Sequence, residues 1–345
     1  MAADSARFAW TGSDVDGNLA GFRYGLDDST PDEWTTDTTV AFEALYNGVH
    51  SFYVQAEDDS GARSLAAVRS FKVEYDSSIV PRGTDTTLEV ASWNIQNFPR
   101  QGEASVDKVR AVMARLDLDI YAIQEVEDTL AFIRLVNGLS GYSGMYSDDD
   151  YGNFYMKTGI VYKTSVVTVH DRRSLFRYND SVTRPPMELT VTASHNGRTF
   201  DFKLIVLHLK AGGSSGDQAE RRATCRLLKD HIDDELRGGG ELDYIVAGDW
   251  NDKLDDPPYY NVFQEFLDDS LDYRFLTWPL RGSSAHGSHI GSGSLIDHIM
   301  VTSDALVEYG SGTTVTLRLD DELANYEQLI SDHRPVLAWF PVFCP

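Results

Sequence analysis

The sequence predicts an α/β layered domain preceded by a small all-β module, and three observations predict it. Up to about Tyr75, short alternating segments are separated by turn residues, with no helical period. From Leu88 onward, strand-like runs rich in Val, Ile and Leu alternate with helical stretches, although strands outnumber helices. Between the two lies YDSSIVPRGTDTT, whose Ser, Thr, Asp, Pro and Gly read as a linker. The expected divisions are residues 1–76, a linker at 77–87, and 88–345. A chain of 345 residues with 42% hydrophobic and 24% charged residues has the composition of a globular protein, which excludes a largely disordered one. No apolar run approaches the roughly 18 residues of a membrane-spanning helix.

In the first module, Ala20–Leu26 is aromatic and alternating, and Asp27–Asp37 reads as a polar loop around Pro31. Asn47-Gly48 is a turn before the alternating His50–Glu57, and Asp58–Gly61 is a second turn before Ser70–Glu74. The run Asp14-Val15-Asp16-Gly17-Asn18 has the beginning of a calcium loop but lacks the downstream bidentate Glu, so a turn between strands is the better reading. In the second part, LEVASWNI is a strand, and Val106, Val109, Val112, Met113 and Leu116 mark one helix face. DIYAIQEV, KTGIVYK, MELTVTAS and TFDFKLIVLHL are further strands. A helix is predicted over Asp217–Leu236, with Asp217 and Glu220 placed as its capping box. DYIVAGDW, LIDHIMV and HRPVLAWF complete the set.

Lys plus Arg total 30 against 54 Asp plus Glu, a net charge of −24. That balance opposes a sequence-independent grip on nucleic acid but leaves room for a narrow cationic cleft or a metal site. Cys225 and Cys344 are too few for a disulfide scaffold, and spacing does not decide whether they pair. The N-terminus, MAADSARFAW, has no charged head followed by an apolar stretch, so the expectation is a chain cut at a domain edge with any targeting segment removed.

The functional signal is where polar residues fall. Asn94 ends EVASWN, Glu125 ends IYAIQE, and His208 sits in IVLHLK. Asp249 and Asn251 end YIVAGDWN, Asp297 and His298 interrupt SLIDHIMV, and Asp332-His333 precede RPVLAWF. One Asp after a strand is ordinarily a turn or a cap; six such strand ends carrying carboxylates, amides and imidazoles are not explained by turns. Carboxylate and amide oxygens are hard ligands for Mg²⁺, Mn²⁺ or Ca²⁺, and histidines supply acid–base capacity. The inventory suits metal-assisted hydrolysis of a phosphoester. Lys210, two residues beyond His208, is expected on the same side of the strand and in reach of phosphate.

The motifs SWNIQNF, IQEV, GIVYK, LHLK, GDWND, LIDHI and SDHRP, in this order, resemble those of the endonuclease/exonuclease/phosphatase superfamily, in particular its deoxyribonuclease I-like branch. The resemblance covers about residues 88–345. It implies a four-layer α/β sandwich, two mixed sheets flanked by helices, with the site at the strand ends. It implies Glu125 as the principal metal ligand, with Asn94 and Asp332 beside it. Asp249 would orient or deprotonate the attacking water or hold a second metal, and Asn251 would contact phosphate. His333, polarised by Asp297, would bind phosphate and help protonate the leaving group. His208 matches the other histidine of that branch, and Arg184 in TRPPMEL falls where the branch has a phosphate-contacting arginine. One departure stands out: the acid that supports the first histidine in deoxyribonuclease I has no counterpart in NFYMKT. The N-terminal run HSFYVQAEDDSGARS resembles the late hairpin of fibronectin type III or immunoglobulin-like modules.

The expected activity is therefore a divalent-metal-dependent phosphodiesterase of secreted-nuclease type, with Mg²⁺ the first candidate ion and nucleic acid or a small phosphodiester the substrate. The alternative is a phosphatase or phosphodiesterase on small or lipid-linked esters, phosphotriesters included. A non-catalytic binding module is opposed by the full complement of ligand and acid–base types. Gly212-Gly213-Ser214-Ser215-Gly216 matches the nucleophile elbow of serine esterases, but the glycines after Lys210-Ala211 suit a looser loop. His286 and His289 in SSAHGSHIGSGS lack the helical H-E-x-x-H pattern of zinc and are assigned to a substrate-facing loop. Tyr151, Phe154 and Tyr155 are open between stacking a ring and packing a core edge. No protein partner is expected, and the accessory module with the acidity points to a secreted or periplasmic bacterial protein.

Overall fold

In this computed structural model the described residues are 6–14, 17–42, 48–73, 79–148 and 156–344. Tyr151, Phe154 and Tyr155 lie outside them, as do Val15 and Asp16 of the acidic turn. The chain divides into two compact units, Met1–Ser77 and Ser78–Pro345.

The first unit is all-β. Strands β1 (Ala6–Ala9) and β4 (Thr39–Phe42) form a two-stranded sheet; β2 (Leu19–Leu26), β3 (Glu33–Thr35), β5 (Gly48–Asp58) and β6 (Ala67–Val73) form a four-stranded one in the order β3-β2-β5-β6. Aromatic rings fill the space between the sheets: Phe8 stacks on Phe52 at 4.2 Å, and Phe42 meets Phe52 edge-on at 6.0 Å. The segment Asp27–Asp37 is not wholly loop, because Glu33–Thr35 pairs with Phe22–Tyr24.

The second unit runs β7 (Leu88–Phe98), α1 (Glu103–Leu116), β8 (Ile120–Val126), α2 (Thr129–Asn137), β9 (Tyr142–Tyr146), β10 (Lys157–Lys163), β11 (Val167–Ser174), β12 (Met187–His195) and β13 (Arg198–His208). It continues with α3 (Ser215–Arg237), β14 (Tyr244–Asp249), α4 (Gln264–Asp268), β15 (Tyr273–Phe275), β16 (Asp297–Thr302), α5 (Ser303–Tyr309), β17 (Thr313–Thr316), α6 (Leu319–Glu322), α7 (Tyr326–Leu329) and β18 (Val336–Phe340). One six-stranded sheet has the order β17-β18-β7-β8-β10-β9 and the other β11-β12-β13-β14-β16-β15. Both are mixed: β7–β8 and β13–β14 are parallel and joined through α1 and α3, and the other pairs are antiparallel.

Alternation along the strands separates three cores. Inward residues such as Val90, Ala122, Ile160, Leu204, Val206, Ala247 and Ile299 pack sheet against sheet. Outward residues Trp93, Tyr121, Ile123 and Val161 meet the stripe Val106, Val109, Val112, Met113 and Leu116 of α1. On the other side Ile205, Leu207, Val246 and Met300 meet Cys225, Leu228 and Ile232 of α3. Helix, sheet, sheet, helix is thus a four-layer sandwich, the architecture expected.

Two further details differ from the sequence reading, and a third settles a point it left open. The segment assigned as a linker is packed from Ile79 onward into the second unit: Ile79 is buried, and the Arg82 and Gly83 amides donate to the Leu116 carbonyl at 2.9 and 3.1 Å. Helix α3 begins earlier than expected, with Ser214 as its cap and Asp217 as the reciprocal partner, so Glu220 is not the capping-box acid. The earlier start follows from residue type, since a serine oxygen accepts from the third helical amide as well as an aspartate does. The cysteines are not bonded: Cys225 is buried in the α3 core and Cys344 is exposed near the C-terminus. Among the described residues no helix is long and apolar enough to cross a membrane.

Candidate active site

Strand pairing and alternation together assemble the site at one end of the second unit. His208 pairs with Asp249 and Asp249 pairs with Asp297, so the three lie in a row across adjacent strands. They continue the inward series Leu204-Val206-His208, Ile245-Ala247-Asp249 and Val301-Ile299-Asp297, which places them between the sheets where the apolar core ends. Asn94 continues Val90-Ser92 on the facing sheet in the same way. The sandwich therefore turns from apolar to polar along its own strands.

Glu125 breaks this pattern. Alternation assigns the inward place to Gln124 and would turn Glu125 toward the helices, as it does Tyr121 and Ile123. A left-handed backbone at Glu125 (φ 64°), with a register shift between β7 and β8, redirects the side chain. Its Oε1 then accepts from Asn94 Nδ2 at 3.0 Å and its Oε2 from the Asn97 amide at 2.8 Å. A Glu in this region costs of order 1–3 kcal/mol, a cost found mainly at functional sites. Asn251 is also left-handed (φ 54°), a conformation Asn tolerates, and its amide donates to Asp249 Oδ1 at 2.9 Å. Gly248 has a different reason for being glycine: a Cβ there would stand 2.2 Å from the Leu207 carbonyl oxygen.

Asn94 joins two acids, donating through Nδ2 to Asp249 Oδ2 at 3.1 Å as well as to Glu125. His208 Nε2 lies 3.5 Å from Asp249 Oδ2 and 3.8 Å from Glu125 Oε1. Burial, with Arg184 and His333 nearby, holds the His208 imidazole well below its ordinary range, so it is neutral. Its Nδ1 is buried and has no hydrogen-bond partner among the described residues, in keeping with the missing supporting acid. His333 has the opposite environment. Burial pushes its pKa down, but Asp297, Asp249 and Asp332 outweigh this and raise it to about 10. Asp249, buried and beside Asp297, is itself raised to about 7.

Asp332 is held by Gln96, which donates from Nε2 to Asp332 Oδ2 at 2.6 Å and accepts the Asp332 amide at 3.1 Å. Arg184 and Asn251 share one acceptor, the Leu209 carbonyl, at 2.9 and 3.1 Å. Lys210 lies beyond the end of β13, so strand alternation does not place its side chain; its carbonyl accepts from Arg221 at 2.8 Å. The structure thus links Asn94, Glu125, His208 and Asp249, and pairs His333 with Asp297. It sets Asp332 beside His333, with Nε2 to Oδ1 at 3.9 Å. His298, next to Asp297, points the other way. It is fully buried between Thr277 Oγ1 at 2.9 Å and the Asp252 carbonyl at 3.0 Å, and burial lowers its pKa to about 4.

Sequence reasoning missed Gln96, Ser331 and Tyr326. Ser331 Oγ donates to the Asn94 carbonyl at 2.6 Å and accepts the His333 amide at 2.9 Å; Tyr326 bonds the His333 carbonyl at 2.7 Å. Gln96 and Ser331 lie inside the motifs, yet only the fold reveals what they hold. Geometry opposes the G-x-S-x-G reading, because Ser214 Oγ is engaged with Asp217 at the α3 cap.

Donor chemistry fits a divalent cation. Carboxylate oxygens converge on Asn94, and Asp297 Oδ1 and Asp332 Oδ1 are buried without a hydrogen-bond partner among the described residues. Asp249, Asp297 and His333 offer ligand atoms within 4.8 Å of one another.

Residues 91–333 match the endonuclease/exonuclease/phosphatase family model. The chain belongs to the endonuclease/exonuclease/phosphatase family. Solved structures similar to it share low sequence identity with it. Humanised TDP2 from D. rerio superposes with a TM-score of 0.52 at 16% identity, covering 74% of this chain and 99% of that one. The human Nocturnin catalytic domain, solved with a bound sulfate anion, gives 0.53 at 17%, covering 74% and 95%. A mannosyl-6-phosphatase from Bacteroides thetaiotaomicron gives 0.51 at 18%, covering 73% and 98%. At these identities the likeness is one of fold. Comparison with curated protein sequences finds no match.

Proposed function

We propose that this endonuclease/exonuclease/phosphatase protein is a divalent-metal-dependent phosphodiesterase that attacks phosphorus with water and forms no covalent enzyme intermediate. The observation that carries this reading is the His333–Asp297 pair, 2.8 Å apart, across from the carboxylates gathered on Asn94. It supplies a protonated donor and a separate set of oxygen ligands in one polar end of the sandwich.

Glu125, with Asn94 and Asp332, would hold the ion, and Asp249 shares the Asn94 amide with Glu125. Bound there, a divalent ion supplies positive charge to the phosphoryl oxygens and lowers the pKa of water. Asp249 takes the proton of the attacking water, a role that suits a carboxyl raised to about 7. As the new P–O bond forms and the bond to the leaving oxygen breaks, His333 gives that oxygen its proton. Neutral His208 and the Arg184 guanidinium contact the non-bridging oxygens, and Asn251 keeps Asp249 and the Leu209 segment in place.

A smaller substrate is the second reading, favoured by the net charge of −24, which gives a polyanion no broad surface to grip. The N-terminal β module is then an accessory of fibronectin III-like or immunoglobulin-like type, and secretion fits both readings. One panel tests them: plasmid DNA, RNA, bis-p-nitrophenyl phosphate, p-nitrophenyl phosphate and a phosphotriester, each with Mg²⁺, Mn²⁺, Ca²⁺ and EDTA. EDTA-sensitive nicking supports the nuclease. Inert DNA with cleaved small esters transfers the assignment to the second reading, and silence throughout removes both.

A further inference from the structure

His289 is one of two histidines in the loop before β16, and only it reaches the site. His286 is exposed three residues earlier. His289 is locked by its backbone: its amide donates to the Ser294 carbonyl at 3.0 Å, the Gly293 amide donates back at 3.0 Å, and the next amide, Ile290, donates to the Asp332 carbonyl at 2.8 Å. A β-bridge joins His289 to His333. The two rings meet edge-on, 5.0 Å between centroids at 84°.

The hydrogen bonds of the ring fix its donor. Nδ1 accepts from the Ser292 amide at 3.0 Å, so the proton of the neutral ring is on Nε2. Nε2 lies 3.8 Å from Asp332 Oδ2, beyond hydrogen-bond reach, and that oxygen already accepts from Gln96. This N–H has no partner among the described residues, and the side chain is partly exposed. His333 uses Nδ1 on Asp297, so only its Nε2 is left to face a leaving group, and that nitrogen and His289 Nε2 stand beside the two oxygens of Asp332, at 3.9 and 3.8 Å.

We infer that His289 is a further substrate-contacting residue, donating a hydrogen bond from Nε2 to the leaving-group side of a phosphodiester. The contact transfers no proton. It rests on the phosphodiesterase reading and adds to it a selectivity: an alkoxide, which carries much charge as its bond breaks, depends on His289, whereas a nitrophenolate, which disperses charge into its ring, does not.

The test uses the full chain with Mg²⁺ or Mn²⁺ and two substrates that share a thymidylyl phosphoryl group, dithymidine monophosphate and thymidine 5′-(p-nitrophenyl phosphate). His289→Ala is expected to lower kcat/KM on the dinucleotide by roughly 10- to 100-fold and on the aryl ester by less than about threefold. His289→Gln, which keeps an N–H near the Nε2 position, is expected to recover part of the loss. Equal loss on both esters, or loss on neither, overturns the assignment. So does weakened Mg²⁺ binding of His289→Ala in calorimetry, which would make the residue a metal ligand. A wild-type chain inert on both esters overturns the phosphodiesterase reading itself; an active one with equal losses overturns only the role of His289.

Discussion

Asp297 Oδ2 lies 2.8 Å from His333 Nδ1, and this contact leaves Nε2 as the ring nitrogen not engaged by Asp297. It also leads the interactions that raise the imidazole to about 10 against the effect of burial. A donor of this kind is active while protonated, so activity falls as pH rises through its pKa. Asp297→Asn removes the negative charge and lowers that pKa. The alkaline limb of the pH–kcat profile should therefore move to lower pH, with kcat down by about 10²–10⁴. An unmoved limb would mean that His333 is not the group titrating.

Glu125→Gln keeps the shape of the side chain and removes its charge. Mg²⁺ or Mn²⁺ affinity, read by calorimetry, should fall at least about tenfold, with the circular dichroism spectrum unchanged. Unaltered affinity would transfer the metal to the Asp249, Asp297 and His333 group.

A second acidic pair, near the starts of β7 and β8, ties stability to pH. Glu89 and Asp119 are buried there; burial and the neighbouring Asp119 raise Glu89 to about 9 from an ordinary 4.5. Below 4.5 both folded and unfolded chains hold the proton, and the contribution is fully present. Between 4.5 and about 9 only the fold holds it, so stability declines as pH rises. Tm measured from pH 5 to 9 should decline, and Glu89→Gln should flatten the decline. An identical slope in the variant would place its source elsewhere.

Arg221 is buried against Asp252 at 2.9 Å and donates to the Lys210 and Gly212 carbonyls, both at 2.8 Å. Arg221→Met leaves a buried carboxylate unpaired, a loss of about 3–5 kcal/mol in urea denaturation. Adding Asp252→Asn should restore part of it; a double variant no better than the single would show that the carbonyl contacts dominate.

Ser214→Ala should retain turnover and lose about 1 kcal/mol of stability through the α3 cap. Abolished turnover would reinstate the nucleophile elbow.

Much of this molecule was legible in its residues, for identifiable reasons. Strands such as KTGIVYK carry their period in the side chains, and polar residues where apolar ones are due marked Asn94, His208, Asp249 and Asp297. The stripe on α1 was equally plain. What could not be read depends on backbone and on distant partners. Nothing local says that Glu125 turns inward through a left-handed φ, or that Gln96 holds a residue 236 positions away. Lys210 shows where pairing stops helping: it lies two residues beyond the end of β13, although Leu209 still continues the outward series of Ile205 and Leu207. His298 shows another limit, since an imidazole next in sequence to Asp297 is structural when it faces the opposite core.

Because each inward strand passes from apolar core to the polar cluster without changing face, the site is sensitive to the parity of its strands. A single residue inserted within β13, β14 or β16 would carry His208, Asp249 or Asp297 to the helix side and bring an outward residue in its place. Two residues would preserve the face and change only the reach. Lengthening of these strands thus keeps the site only in even steps, whereas at Glu125 a left-handed backbone turns inward a side chain that alternation would turn outward.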